Sequence, residues 1–286
     1  MDYRKKEDFQ VIKLPKPLIN EDRGLIECCC NYEVFADESS NDTWKNDITG
    51  RKIQRSSDSD IVTFKIKKCG TAGYLTNLGT DAIFPNEELA VGFMFDWQQY
   101  LSTYGCGMYT IEVEYTLSGV TGGYTIGNFQ LFNYNTQILD GTVRIRSHYS
   151  SYSLEENFDY TGSNFVDTIR FGGMFGLMQP NSEVNNLVDK GRNVVKTARE
   201  FVKSYELKSN PLGNCFTDLI LNHLLNEDDC FISDHNSMNH SYQYLDFPVS
   251  LNQLSNFDYP GSGRKIVING NFGDRKKITK SLYNVL

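Results

Sequence analysis

Residues 108–117 read MYTIEVEYTL. Ile111, Val113, Tyr115 and Leu117 alternate with Thr110, Glu112, Glu114 and Thr116, a period of two that puts one set on a buried face and the other in water. This is a half-buried β-strand, and similar strands flank it. Upstream, Val62, Phe64 and Ile66 alternate with Lys65 and Lys67 until Cys69-Gly70 ends the run, and residues 89–95 (LAVGFMF) form an apolar segment of strand length. Further upstream, Ile26, Cys28, Cys30, Tyr32 and Val34 alternate with Glu27, Asn31 and Glu33. Downstream come residues 124–133, 140–149 and 163–171; in the second of these, Val143 and Ile145 alternate with Arg144, Arg146 and His148. Seven or so short strands punctuated by Gly, Asn and Asp predict a β-sandwich.

The composition of the 286 residues agrees with this reading. Alanine, the best helix former, occurs 5 times, against 17 Tyr and 18 Phe, and aromatic rings suit pleated, half-buried surfaces. The 26 Asn and 23 Gly supply tight turns. Residues 36–60 contain little apolar matter apart from Trp44, Ile48 and Ile53, and are expected to form a long surface excursion.

After Gly172-Gly173 the chain changes character. Residues 180–192 (PNSEVNNLVDKGR) are polar and turn-rich, which places a domain boundary near residue 178. Residues 194–207 fit a helix through Val194, Val195, Ala198, Phe201, Val202 and Tyr205, but also an edge strand, and a strand is favoured from Ala198 onward. Residues 214–226 predict a helix capped by Asn214, with Phe216, Leu219, Ile220, His223 and Leu224 on one face. Short strands are expected at 230–233, 246–251 and 264–272, followed by the basic stretch DRKKITK. The organisation is then an extended N-terminal arm over 1–20, containing Pro15 and Pro17, a sandwich over 21–178, and a smaller β domain with one α-helix and a C-terminal tail over 179–286.

The net charge of −8 opposes the field that gripping nucleic acid requires. No apolar run reaches the roughly 20 residues of a membrane span. The charged start MDYRKKEDFQ lacks a signal-peptide core, so a reducing cytoplasm is expected. The seven Cys, three of them consecutive at 28–30, then imply no disulfide framework.

Motifs for chemistry are weak. Cys230, Asp234, His235 and His240 share one loop, but zinc favours tighter ligand pairs, and backbone-bonding turn residues are the preferred reading. Glu155, Glu156 and Asp159 could be drawn as a glycosidase pair, yet adjacent acids are more often a solvated patch. No nucleophile elbow, calcium loop or phosphate-cradling loop is present. Arg144, Arg146 and Arg170 are expected to pair with acids rather than grip phosphate. The sequence thus assigns no catalytic, cofactor-binding or metal-ligating residue, and the chain is expected to be used for its surfaces. Sandwich edges and the arms at 1–20 and 273–286 could pair with neighbours, and head-to-tail repetition of such a contact closes a ring.

Three stretches carry a resemblance: NFDYTGSNFVDTIRFGGMFG at 157–176, REFVKSYELKSNPLGNCFTDLI at 199–220 and CFISDHNSMNHSYQYLDFPV at 230–249. They resemble tail and neck virion proteins of crAss-like and related Bacteroidetes phages. The resemblance implies a non-enzymatic ring or hub subunit near the portal, with a jelly-roll-like β-sandwich and a smaller tail-tube-like β-sandwich carrying one helix. It implies contacts with copies of itself and with adjacent portal or tail proteins, and DNA passing without tight binding, for which an acidic chain is suited. The competing expectation is a carbohydrate-binding sandwich, receptor-binding or lectin-like, with Tyr149, Tyr152 and Tyr160 as the sugar platform.

Overall fold

The computed structural model of the protein describes residues 31–55, 59, 61–78, 84–117, 120–153, 158–188, 194–212, 220, 229–237, 244–258, 267–274 and 279–281. In chain order the first elements are β1 (Asn31–Ala36), β2 (Ile48–Gln54), β3 (Ile61–Lys68), β4 (Thr76–Leu78), β5 (Ala90–Asp96), α1 (Trp97–Tyr104), β6 (Gly107–Leu117) and β7 (Val120–Asn133). Then follow β8 (Thr142–Tyr149), β9 (Tyr152–Ser153), β10 (Phe158–Asp159), β11 (Phe165–Val188), β12 (Val194–Ser209), β13 (Asp229–Asp234), β14 (Phe247–Asp258), β15 (Val267–Asp274) and β16 (Thr279–Ser281). The protein is mainly β.

The strand that opens the reading, β6, lies at the centre of a five-stranded sheet of order β1-β7-β6-β3-β4, in which β1 runs parallel to β7 and the other pairs are antiparallel. Its alternation is realised: Ile111 and Val113 are fully buried, as are Phe64 and Ile66 of β3. Against this face packs a two-stranded antiparallel sheet, β2 with β5, which adds Ile53, Val91, Phe93 and Phe95 to one core. Each such side chain contributes about 1.5–3 kcal/mol through removal from water.

Helix α1 closes the end of this core and is absent from the sequence reading. Asp96 caps it by accepting the Gln98 N–H at 2.9 Å, Trp97, Tyr100 and Leu101 are its buried face, and Gly105, at φ 75°, ends it. Within β2 the expectation also fails. Residues 36–60 are expected from their composition to be a surface excursion, yet Thr49, Arg51 and Lys52 are buried along with Ile53, because each polar group meets a partner inside the molecule.

The second core belongs to a closed barrel. Strands β11, β8, β13, β14, β15 and β12 pair in that order, all antiparallel, and β12 pairs back onto β11; β16 adds to β12 as a seventh strand. Val143 and Ile145, Ile169 and Phe171, Tyr205 and Leu207, Cys230 and Ile232, Val249 and Phe272 fill its interior, so the inward positions of six strands leave a packed core. A barrel therefore stands where a smaller β-sandwich was expected. Strand β8 and the start of β11, which the sequence reading places before the boundary at 178, hydrogen-bond into this barrel. Residues 180–188, read as turn-rich, continue β11, and 194–209 is strand throughout. Of the helix expected at 214–226 only Ile220 is among the described residues; it is helical and fully buried in the barrel core. The N-terminal arm at 1–20 lies outside the described residues.

Candidate functional site

The unit built on the five-stranded sheet and the barrel are joined by buried charge. Arg144 of β8 points out of the barrel, opposite in phase to Val143 and Ile145, and its side chain is fully buried. Its Nε donates to Asp47 Oδ1 at 2.6 Å, its Nη2 to the Asn46 carbonyl at 2.7 Å and its Nη1 to Asp246 Oδ1 at 3.1 Å. Asp47, just before β2, also accepts the Phe35 N–H at 2.9 Å and Arg170 Nη2 at 3.2 Å. Arg170 of β11 lays its guanidinium over the Phe35 ring, 4.9 Å from the centroid. Asp246 also binds Arg146 Nη2 at 2.9 Å and the Thr43 hydroxyl, which accounts for a non-glycine residue held at φ 46°.

Burial alone would raise the Asp47 carboxyl, but Arg170, Arg144 and the Phe35 N–H hold it below the ordinary carboxylate range. Asp246 is likewise lowered, burial being outweighed by Arg144, Thr43 and Arg146. The expected pairing of Arg144, Arg146 and Arg170 with acids is thus seen, and both acids lie far off in sequence. His235, whose backbone N–H donates to the Thr142 carbonyl at 3.0 Å, has its imidazole pKa driven down to about 3 by burial and by Arg170 and Arg144.

A second clamp ties β2 to β11. The Thr168 hydroxyl accepts the Ile48 N–H at 2.9 Å and donates to the Ile48 carbonyl at 2.7 Å. Asp167 accepts the Gly50 N–H at 3.0 Å and Arg51 Nη1 at 2.7 Å. A Cβ on Gly50 would stand 2.6 Å from the Val166 carbonyl oxygen and 2.7 Å from the Phe165 ring, so glycine is what permits the approach. Two polar clamps, one at Asn46 and Asp47 just before β2 and one along β2 itself, tie the two units together.

From this body a long hairpin extends. Pairing of β8 with β11 ends at Gly172, whereas β12 follows β11 to Val188. From Met174 to Val188, among the described residues, one edge of β11 carries no strand; at about 3.3 Å per residue this edge runs roughly 45 Å. It leaves the barrel at a β-bulge, where Gly176, at φ 118°, sits between the paired residues Phe175 and Leu177 and a Cβ would run into the Tyr244 ring. The C-terminal stretch, expected as a free arm, is used within the chain at 279–281, where β16 pairs with Arg199–Phe201.

The other candidates are dispersed. Cys230 is inside the barrel, Asp234 is buried and bonds Asn236, His235 is at the junction, and His240 lies outside the described residues; among the described residues no three potential metal ligands come together. Glu155 and Glu156 lie outside them too, and Asp159 accepts the Thr161 N–H at 2.9 Å. The sugar platform of Tyr149, Tyr152 and Tyr160 is not formed: Tyr149 and Tyr160 are buried with Phe84, Phe158 and Phe165 in a third core, beside the Lys52 ammonium 3.8 Å from the Phe158 centroid, and only Tyr152 is exposed. No helix among the described residues is long and apolar enough to cross a membrane. Sequence reasoning missed Asp47 and Asp246; the available signal was three arginines on strand faces, each of which needs a buried acid. No family model matches the chain, and no curated protein matches it.

Proposed function

We propose that the chain is a non-enzymatic structural subunit of a bacteriophage virion, one of several copies forming a ring or hub in the portal-proximal tail or neck. On this reading it contacts its own copies and adjacent portal or tail proteins, and DNA passes it without tight binding. The sandwich would correspond to a jelly-roll-like domain and the barrel, with its helical Ile220, to a tail-tube-like one.

The observation that carries the reading is the edge of β11 beyond Gly172, with which no strand pairs among the described residues. Such an edge is a template for another strand, and natural proteins seldom leave a long one uncovered. Pairing it with a different edge of the next copy is a heterologous contact, which closes into a ring when the rotation per subunit permits. The clamps at Asp47 and Asp167 suit this role, because a ring closes only if each subunit holds its two contact surfaces at a constant angle. The net charge of −8 suits a passage through which phosphates slide.

The test uses two neighbouring positions. Along a strand, successive residues direct their backbone groups to opposite edges, so of Ser182→Pro and Glu183→Pro one breaks the pairing with β12 and the other blocks the open edge. Native mass spectrometry and electron microscopy of the purified protein are expected to show a closed oligomer, lost in the edge-blocked variant while its circular dichroism is unchanged. A wild-type chain that stays monomeric at high concentration, or a ring indifferent to both substitutions, overturns the reading.

A further inference from the structure

The water-facing side of the first sheet bears a trough of about 440 Å³, lined by Tyr74, Glu112, Glu114, Thr121, Gly123 and Thr125 among others, a size within the range of about 300–1,000 Å³ typical of small-molecule sites. Its floor is bare by necessity. A Cβ on Gly123 would lie 2.8 Å from the Val113 carbonyl oxygen, so no other residue fits between the strands there.

The walls are fixed in place. Lys65 binds Glu114 and Lys67 binds Glu112, while the Tyr74 hydroxyl donates to Glu112 Oε2 at 2.6 Å. The Lys65 ammonium, 4.9 Å from the Tyr74 centroid, pins the ring, which remains 44% exposed. Lys65 and Lys67, paired with Glu114 and Glu112 from beside the lining, offset their charge, so the trough presents strong hydrogen-bonding groups with little net charge. An ionic ligand gains no overall field from such a set. A neutral ligand with many hydroxyls gains a great deal: carboxylates accept from its O–H groups, the Thr121 and Thr125 hydroxyls can donate to its oxygens, and an aromatic face meets its C–H surface.

We propose that this trough is a binding site for a neutral saccharide, formed by Tyr74, Glu112 and Glu114 over the Gly123 floor. It stands apart from the tyrosines at 149, 152 and 160 and from the hairpin edge, and does not rest on ring formation.

Saturation-transfer NMR and calorimetry of the full chain with maltotriose, cellotriose and mannotriose test it, with trigalacturonate as the charged comparator. At least one neutral trisaccharide is expected to bind at millimolar concentration, with transfer strongest to protons of one sugar face, and more tightly than trigalacturonate. Tyr74→Ala should weaken binding about tenfold, through loss of the ring contact and of the bond that orients Glu112. Glu114→Gln, at an exposed carboxylate whose loss leaves the core untouched, should weaken it severalfold, and decides the matter if Tyr74→Ala does not fold. Absence of transfer to all three neutral sugars, equal or tighter binding of trigalacturonate, or wild-type affinity in the folded variants overturns the proposal.

Discussion

Strands β6 and β2 are both buried in the same molecule, and only the first can be read from its letters. In MYTIEVEYTL every inward residue is apolar, so burial follows from removal of hydrocarbon from water and needs no knowledge of the partner. In ITGRKIQ the buried set includes Thr49, Arg51 and Lys52, whose burial is tolerable only because Trp97 Nε1 donates to Thr49 Oγ1 at 2.8 Å, Asp167 meets Arg51, and Tyr160 meets Lys52. The difference is between a one-body property and a two-body one. Apolar burial is written in a single strand, whereas polar burial is written in two segments that the fold must first bring together.

The sharpest way to break this comparison is to remove one partner. Asp47→Ala leaves the buried guanidinium groups of Arg144 and Arg170 without their shared carboxylate, for an expected loss of about 3–5 kcal/mol. Ile111→Ala, in the readable strand, is expected to cost about 2–5 kcal/mol through its cavity. Urea unfolding measures both. A loss at Asp47 well below that at Ile111 would show that the junction rests on its apolar contacts, and that the ion pairs only accompany them.

Acid provides a second, milder perturbation of the same junction. His235 is neutral in the fold down to about pH 3, while in the unfolded chain it takes a proton near 6.5. Between these values the unfolded state binds more protons, so the stability His235 contributes is full above about pH 6.5 and falls as the pH drops toward 3. The slope is at most about 1.4 kcal/mol per pH unit. Asp47 and Asp246, whose carboxyls are lowered, add a further loss once the pH passes below about 3.8. The groups facing His235 are Arg170, Arg144, Asp47, Asp246 and the Tyr134 ring. Melting temperature against pH should therefore decline from about 6.5 in the wild type and decline less steeply down to about pH 4 in His235→Gln, where His148, lowered by burial and by Arg146, keeps its own share of the slope; identical profiles would remove His235 from the account.

What the sequence made legible follows the same division. Strands β3, β6 and β8 were evident because alternation of apolar and charged residues needs no context, and the pairing of Arg144, Arg146 and Arg170 with acids was evident in kind. Helix α1 carried its own signals in the Asp96 cap, the spacing of Trp97, Tyr100 and Leu101, and Gly105, but a run of only eight residues between strands is easily absorbed into a loop. Barrel closure and the identity of the acids were not legible: Arg144 and Asp47 are 97 positions apart, and nothing in either segment names the other. Likewise Tyr149 and Tyr160 fit either a sugar platform or packing when read alone; Phe158 and Phe165 flank Tyr160 in the chain, while Phe84, which completes the cover, arrives from a distant segment that nothing in their own stretch names.

The smallest expected effect lies on the readable strand itself. Lys65 and Glu114 form an ion pair whose side chains are 21% and 45% exposed, against 10% and 2% for Arg51 and Asp167. Water and salt screen the first pair, and holding two long side chains together offsets much of the Coulomb gain, so a double-mutant cycle with Lys65→Ala and Glu114→Ala should yield a coupling of about 0.2–1 kcal/mol that shrinks in added salt. The corresponding cycle on Arg51 and Asp167 should give a larger coupling, insensitive to salt, because removing either partner strands the other in the interior. Equal couplings, or equal salt dependence, would mean that solvent reaches the junction as freely as the outer face of the sheet, and the distinction between the two strands would then reduce to composition alone.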